Sequence, residues 1–121
     1  MTNKYNARKV SMDGYTFDSQ SEARRYQELK LLEKSGDIKL LEIHKRFLII
    51  EGFTWNGKRV RPTYYECDFF YWDNHKGRMV VEDVKAFDKK TQKFITTAVF
   101  NLKLKLFKSQ YPQHDFVIVE A

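Results

Sequence analysis

The sequence predicts an α/β fold in which two helices pack on a sheet that contains an antiparallel hairpin. Three observations carry this. Ser19-Gln20-Ser21-Glu22 has capping-box spacing and opens a helical pattern that ends at Gly36. Two strand-like runs, Tyr64–Trp72 and Met79–Lys85, are joined through Asn74-His75-Lys76-Gly77, a common hairpin loop length. A second helical pattern, from about Thr96 to Ser109 and stopped by Tyr111-Pro112, precedes the wholly apolar run Phe116-Val117-Ile118-Val119.

Residues 1–12, with Lys4, Arg8 and Lys9 and little apolar content at their start, read as a basic arm ahead of a single domain over 13–121. A turn at Asp13-Gly14 leads to the short stretch Tyr15-Thr16-Phe17. In the first helix Glu22, Tyr26, Leu29 and Glu33 recur at helical spacing, and Ala23, Leu31 and Leu32 widen the apolar stripe. Glu22 borders that stripe, where the capping box gives its carboxylate an ordinary task, reaching back to the Ser19 backbone. Ile38 to Phe53 reads as a strand that ends near Gly52, with Phe47-Leu48-Ile49-Ile50 apolar enough for burial on both faces. Trp55–Pro62 is either a basic loop or a hairpin turned at Asn56-Gly57. Its Lys58, Arg59 and Arg61 suit phosphate contacts, and suit a solvated loop equally. On the second helix Val99, Leu102 and Leu106 form one apolar row and Phe100, Leu104 and Phe107 another. Lys103 and Lys105 occupy what remains, either within reach of a phosphate or facing water. The apolar run Phe116–Val119 belongs inside a sheet covered on both faces.

Chemistry concentrates on the hairpin. Period 2 places Tyr65, Cys67, Phe69 and Tyr71 on one strand face and Glu66 and Asp68 on the other. Asp83 and Lys85 share a face, and Glu82 points away. A four-residue loop sets Asp73 opposite Arg78 and therefore Asp68 opposite Asp83, with Cβ atoms about 5 Å apart. Two anionic carboxylates so placed repel unless a cation separates them. Carboxylate ligation with no His or thiolate beside it suits Mg²⁺, with Mn²⁺ as a substitute, better than zinc. The same register sets Lys85 opposite Glu66, a pairing that a plain cross-strand ion pair also explains. His44, His75 and His114 are scattered without zinc spacing and read as surface or strand residues.

With 121 residues, 42% of them hydrophobic, the chain supports one domain and one modest core. Its net charge of +6 favours a polyanionic partner such as DNA or RNA. The single Cys67 excludes an internal disulfide and fits a reducing compartment. No apolar run approaches membrane-spanning length and the first residues lack a signal-peptide stretch, so a cytoplasmic protein with no membrane partner is expected. No Gly-rich phosphate loop occurs, which argues against nucleotide hydrolysis.

An order of helix, strand, hairpin, helix and strand, with an acid on the first helix and Asp...Asp-x-Lys on the hairpin, resembles the PD-(D/E)xK nuclease superfamily. The family's helix acid falls on Glu22, its first strand acid on Asp68, and its triplet on Asp83-Val84-Lys85. Cys67 stands where the Pro of the motif would be. The phrasing Phe17-Asp18-Ser19-Gln20-Ser21-Glu22-Ala23 with Val81-Glu82-Asp83-Val84-Lys85 looks like small phage-encoded nuclease-like proteins, including those resembling Holliday junction resolvases. The resemblance implies a restriction-endonuclease-like core: a central mixed sheet with an antiparallel catalytic hairpin, flanked by helices. It implies that Asp68 and Asp83 ligate Mg²⁺ with the Val84 carbonyl, that Glu22 binds the same ion through water or helps a second, and that Lys85 orients the attacking water or steadies the phosphate. The expected activity is metal-dependent hydrolysis of DNA phosphodiester bonds, directed at branched DNA or Holliday junctions in phage recombination or replication. Two symmetric nicks from a chain with one site imply a homodimer. The alternative is a noncatalytic module that keeps the fold and binds nucleic acid or a protein.

Overall fold

In the computed structural model, which describes residues 8–121, Asp13 and Gly14 both take positive φ (52° and 82°). They close a hairpin of β1 (Val10–Met12) on β2 (Tyr15–Phe17). The basic arm expected over 1–12 therefore ends earlier, since Val10–Met12 is paired strand, and Lys4 lies outside the described residues. Helix α1 (Gln20–Ser35) starts where the sequence places it: the Ser19 hydroxyl accepts from Glu22 N, and Gly36 ends the helix at φ 86°, a left-handed geometry that glycine adopts without strain.

Beyond α1 lie β3 (Ile38–Ile43), β4 (Arg46–Ile50), β5 (Phe53–Trp55), β6 (Lys58–Val60), β7 (Thr63–Glu66), β8 (Phe69–Asp73) and β9 (Arg78–Lys85). The short pair β10 (Phe87–Asp88) and β11 (Lys93–Phe94), helix α2 (Ala98–Gln110) and β12 (Asp115–Glu120) complete the chain. Two expected single strands are broken: Ile38–Phe53 into β3, β4 and the start of β5, and Tyr64–Trp72 into β7 and β8. Asn56-Gly57 turns a hairpin rather than an open loop, with β5 pairing β6. Thr97 caps α2 by accepting from Phe100 N, and Tyr111 N closes its last turn on Phe107 O.

The central sheet is mixed, ordered β12-β9-β8-β3, with β12 parallel to β9 and the other pairs antiparallel. The two helices cover its opposite faces. Phe69, Tyr71 and Val80 point into a core with Phe17, Ala23, Tyr26, Leu29 and Ile38 on the α1 side. The alternate residues Phe70 and Val81 join Phe47, Ile49, Tyr65, Cys67 and Phe107 on the α2 side. Full burial of each such aromatic or aliphatic side chain stabilises the fold by about 1.5–3 kcal/mol. The run Phe116–Val119 is an edge strand and half-buried, not interior; Phe116 packs toward α2 and Val117 toward α1. Leu31, Val99 and Leu102, expected on apolar stripes, are exposed, because each helix has only one sheet to lie on.

Candidate metal centre at the sheet corner

Two breaks in the strands line up to make the site. β3 gives way to β4 at His44-Lys45, and β7 gives way to β8 at Cys67-Asp68. His44 N donates to Asp68 O at 3.1 Å and Cys67 N to Lys45 O at 3.0 Å, so the pairing Ile43↔Phe69 continues across the corner to Arg46↔Glu66. The ladder thereby turns from the α1 core to the α2 core. His44 sits at φ 56°, a left-handed conformation that costs a non-glycine residue about 1–2 kcal/mol.

Glu22, in the first turn of α1, meets the corner. Its Oε1 lies 2.8 Å from His44 Nε2, and its Oε2 accepts from Asp18 N at 3.4 Å. The capping box is thus rearranged: the Ser19 hydroxyl caps Glu22 N at 3.1 Å, while the Glu22 carboxylate reaches Asp18 instead of Ser19 and faces His44. One donor atom each from Glu22, His44 and Asp68 all lie within 4.8 Å of one another. Glu22 is buried, and His44 and Asp68 are half-buried.

Asp83 stands beside Asp68, as the hairpin register requires, with Asp73↔Arg78 and Phe69↔Glu82 paired. Its Oδ1 accepts from Asp68 N at 3.0 Å and its Oδ2 accepts from the Tyr65 hydroxyl. Asp68 Oδ2 in turn accepts from Val84 N at 2.7 Å. The group that Val84 brings to Asp68 is its amide. Lys85 does not oppose Glu66, which pairs with Arg46; its ammonium lies 4.1 Å from the centroid of the Phe100 ring. The strand break at Cys67-Asp68 is the cause, since it carries Glu66 into the β4–β7 ladder.

Burial, then the neighbouring charges of Asp83 and Glu22, pushes the Asp68 carboxyl up to about 8. Burial also pushes Asp83 up, to about 6, against the opposing hydrogen bonds from Tyr65 and Asp68 N. Burial raises the Tyr65 hydroxyl and Cys67 thiol well above their ordinary ranges, so both stay neutral. An acidic cluster held this tightly gains from a cation. Opposite donors on one Mg²⁺ or Mn²⁺ ion stand about 4.2 Å apart, a span comparable with the 4.8 Å that bounds the donor atoms of Glu22, His44 and Asp68.

The basic candidates are divided among three places. Lys58 and Arg59 lie on β6, with Arg61 just beyond, all exposed. Lys103 is half-buried and lines a cleft of about 540 Å³ with Arg46, Tyr64 and Tyr65, between α2 and β7. Lys105 faces solvent. A second cleft, of about 390 Å³, is lined by Arg8, Arg24 and Lys85 together with Ser19-Gln20-Ser21 and Val84.

His44 was expected on a surface or in a strand; it belongs to the corner. The visible signal was the run of three polar residues, His44-Lys45-Arg46, just before the apolar run Phe47-Leu48-Ile49-Ile50. Glu82 was expected only to point away from the acidic face. It is fully buried on the α1 side, held by Arg25 through two bonds of 2.8 and 2.7 Å and by the Tyr71 hydroxyl. His75 pairs with Asp37 on the surface, and His114 is half-buried among Phe47, Phe70 and Phe107.

Among the described residues, no helix is long and apolar enough to cross a membrane. No curated protein and no solved structure matches the chain. The profile of one family matches residues 2–120, and the chain belongs to that family, described as Protein of unknown function (DUF1064).

Proposed function

We propose that the chain is a metal-dependent DNA endonuclease built on a restriction-endonuclease-like core. The observation that carries this reading is the convergence of Glu22, His44 and Asp68 within 4.8 Å, with Asp83 and Lys85 on the adjoining strand. The carboxylates suit Mg²⁺; an imidazole among the donors moves the preference toward Mn²⁺. When bound, such an ion neutralises charge on phosphate oxygens and lowers the pKa of a coordinated water. The chain's own groups prepare for it. Tyr65 fixes the Asp83 carboxylate, Asp83 fixes the Asp68 backbone, and the Val84 amide fixes the Asp68 side chain, so Asp68 reaches the corner in one orientation. Lys85 follows Val84 on the same strand, and its ammonium, over the Phe100 ring, is the cation that would steady a phosphate.

On this reading the substrate is DNA, with branched forms such as Holliday junctions in phage recombination or replication as the preferred class. A homodimer supplies two nicks, and the setting is the cytoplasm of the host cell. The test is cleavage of linear duplex, single-stranded, flap and four-way-junction DNA with Mg²⁺, Mn²⁺ or EDTA, comparing wild type with Asp68→Ala. Metal-dependent cutting that vanishes in the variant supports the proposal. Binding without cutting by either protein points to a noncatalytic nucleic-acid module instead.

A further inference from the structure

The strands that leave and re-enter the corner continue outward as one long hairpin. β4 pairs β7, a register shift follows between Leu48 and Ile50, and β5 pairs β6 up to the Asn56-Gly57 turn. Among the described residues the outer part, β5–β6, pairs only with itself, and all six of its strand residues are exposed. Its two faces differ sharply. The pairings Phe53↔Val60 and Trp55↔Lys58 put Phe53, Trp55 and Val60 on one face with Lys58, and Thr54↔Arg59 puts Arg59 on the other. Phe53, Trp55 and Val60 are 45%, 67% and 36% exposed. A two-stranded ribbon has no second layer to cover such a face, so folding does not account for its aromatic residues.

Charge selects the occupant. From Gly52 to Pro62 the chain carries Lys58, Arg59 and Arg61 and no acid. The Arg59 guanidinium is laid along the base of the ribbon: a Cβ added at Gly52 would sit 2.6 Å from Arg59 Nη2. Glycine there lets the cation lie close against the backbone instead of trailing in water. Aromatic rings with Lys58 on their own face and Arg59 on the other face of the same thin ribbon suit a polyanion with exposed π-faces. An acidic protein surface would meet the cations but leave Trp55 and Phe53 without a stacking partner.

We infer that the β5–β6 ribbon is an arm for DNA with unpaired or splayed bases, which stack on Trp55 and Phe53 while Lys58, Arg59 and Arg61 hold the flanking phosphates. This rests on the nuclease reading for the identity of the polymer and narrows it from DNA in general to DNA with open bases. From Arg46 at the corner to Trp55 at the tip, strands rising about 3.3 Å per residue reach up to about 30 Å, the length of about nine stacked base pairs. The arm therefore samples DNA well away from the carboxylates and can recognise a branch or gap at a distance from the bond to be cut.

The test measures binding in EDTA, which removes cleavage from the readout, on three DNAs of one sequence: intact duplex, gapped duplex and four-way junction. The proteins are wild type, Trp55→Ala and the triple variant Lys58→Gln/Arg59→Gln/Arg61→Gln, each first checked for an unchanged melting curve. Trp55→Ala should weaken binding to the gapped and branched DNA by about fivefold or more, the lower end of the range for one lost base stack, and binding to intact duplex by less than about twofold. The triple variant should weaken all three and flatten the salt dependence. Equal binding by Trp55→Ala and wild type on every DNA would overturn the inference. So would a Trp55→Ala shift from dimer to monomer in sedimentation with DNA binding unchanged, because the face would then be a contact between copies. Metal-dependent cutting is scored separately: its absence beside Trp55-dependent binding removes the nuclease reading and leaves the arm, and its presence beside Trp55-independent binding does the reverse.

Discussion

Burial of the Asp68 carboxyl at the corner has a sign that makes a direct prediction. The carboxyl is raised from the ordinary 3.8 to about 8, first by burial and then by Asp83 and Glu22. The folded state therefore holds this proton more tightly than the unfolded chain. The associated stability is complete below pH 3.8 and is lost as pH rises through about 8. Asp83, raised to about 6, adds the same trend over a narrower window. On the proposed reading, a divalent ion would compete with these protons and bind the ionised forms. Thermal unfolding at pH 6 and pH 8.5 should show the metal-free protein less stable at the higher pH, and a larger stabilisation by Mn²⁺ there; a metal effect independent of pH would contradict the assignment. His44 gives a second prediction at this scale. Its left-handed backbone, φ 56°, is tolerated by Asn, so His44→Asn removes the imidazole with little added strain. That variant should lose about tenfold or more in apparent Mn²⁺ affinity by calorimetric titration, with a smaller loss for Mg²⁺. Unchanged affinity for both ions would place His44 outside the ligand set.

At the scale of elements, the helix that carries Glu22 is tied to the hairpin one turn further along α1, by Arg25. Its guanidinium grips Glu82 with two hydrogen bonds, tying α1 to β9 and so setting the helix acid relative to Asp83. Glu82 is only 1% exposed, so Arg25→Ala leaves a buried charge without its partner and should destabilise by about 3–5 kcal/mol. The double replacement Arg25→Met/Glu82→Leu should recover most of that in denaturant unfolding, since it removes the stranded charge as well; failure to recover would mean that the pair specifies more than helix docking. Elements with local signals were legible in the sequence. Ser19 and Gly36 fixed both ends of α1, and the four-residue loop fixed the register that sets Asp68 beside Asp83. The corner was not legible, because the alternate residues Tyr65, Cys67, Phe69 and Tyr71 keep an unbroken apolar pattern while the chain changes sheets. Tyr65 and Cys67 face α2, Phe69 and Tyr71 face α1, and each residue is buried either way. Period-2 reasoning assumes one flat ladder, so it sent Lys85 to Glu66 and left His44 without a role.

For the whole molecule, one bent ladder serves two cores and places the candidate metal centre where they meet. Glu22, Asp68 and Asp83 meet at the bend, while the ribbon, α2 and the α1 cleft carry further cations. An acidic centre within a chain of net charge +6 suits a ligand that is anionic along its length and reaches the acids through a bound cation. Lys103 tests that arrangement better than the ribbon does, because its cleft includes Tyr65, the residue that holds Asp83. Lys105, two positions along the same helix, faces solvent and serves as the internal control. If DNA lies across the cleft, Lys103→Gln should lower the magnitude of the slope of log binding constant against log salt by about 0.9, the value for one phosphate contact on duplex. Lys105→Gln should change it by less than half as much. Both variants should keep the wild-type melting temperature, since neither lysine has an ion-pair partner among the described residues. Matching slopes for the two would show that α2 contributes only diffuse charge, and would move the DNA path to the opposite cleft, lined by Arg8, Arg24 and Lys85.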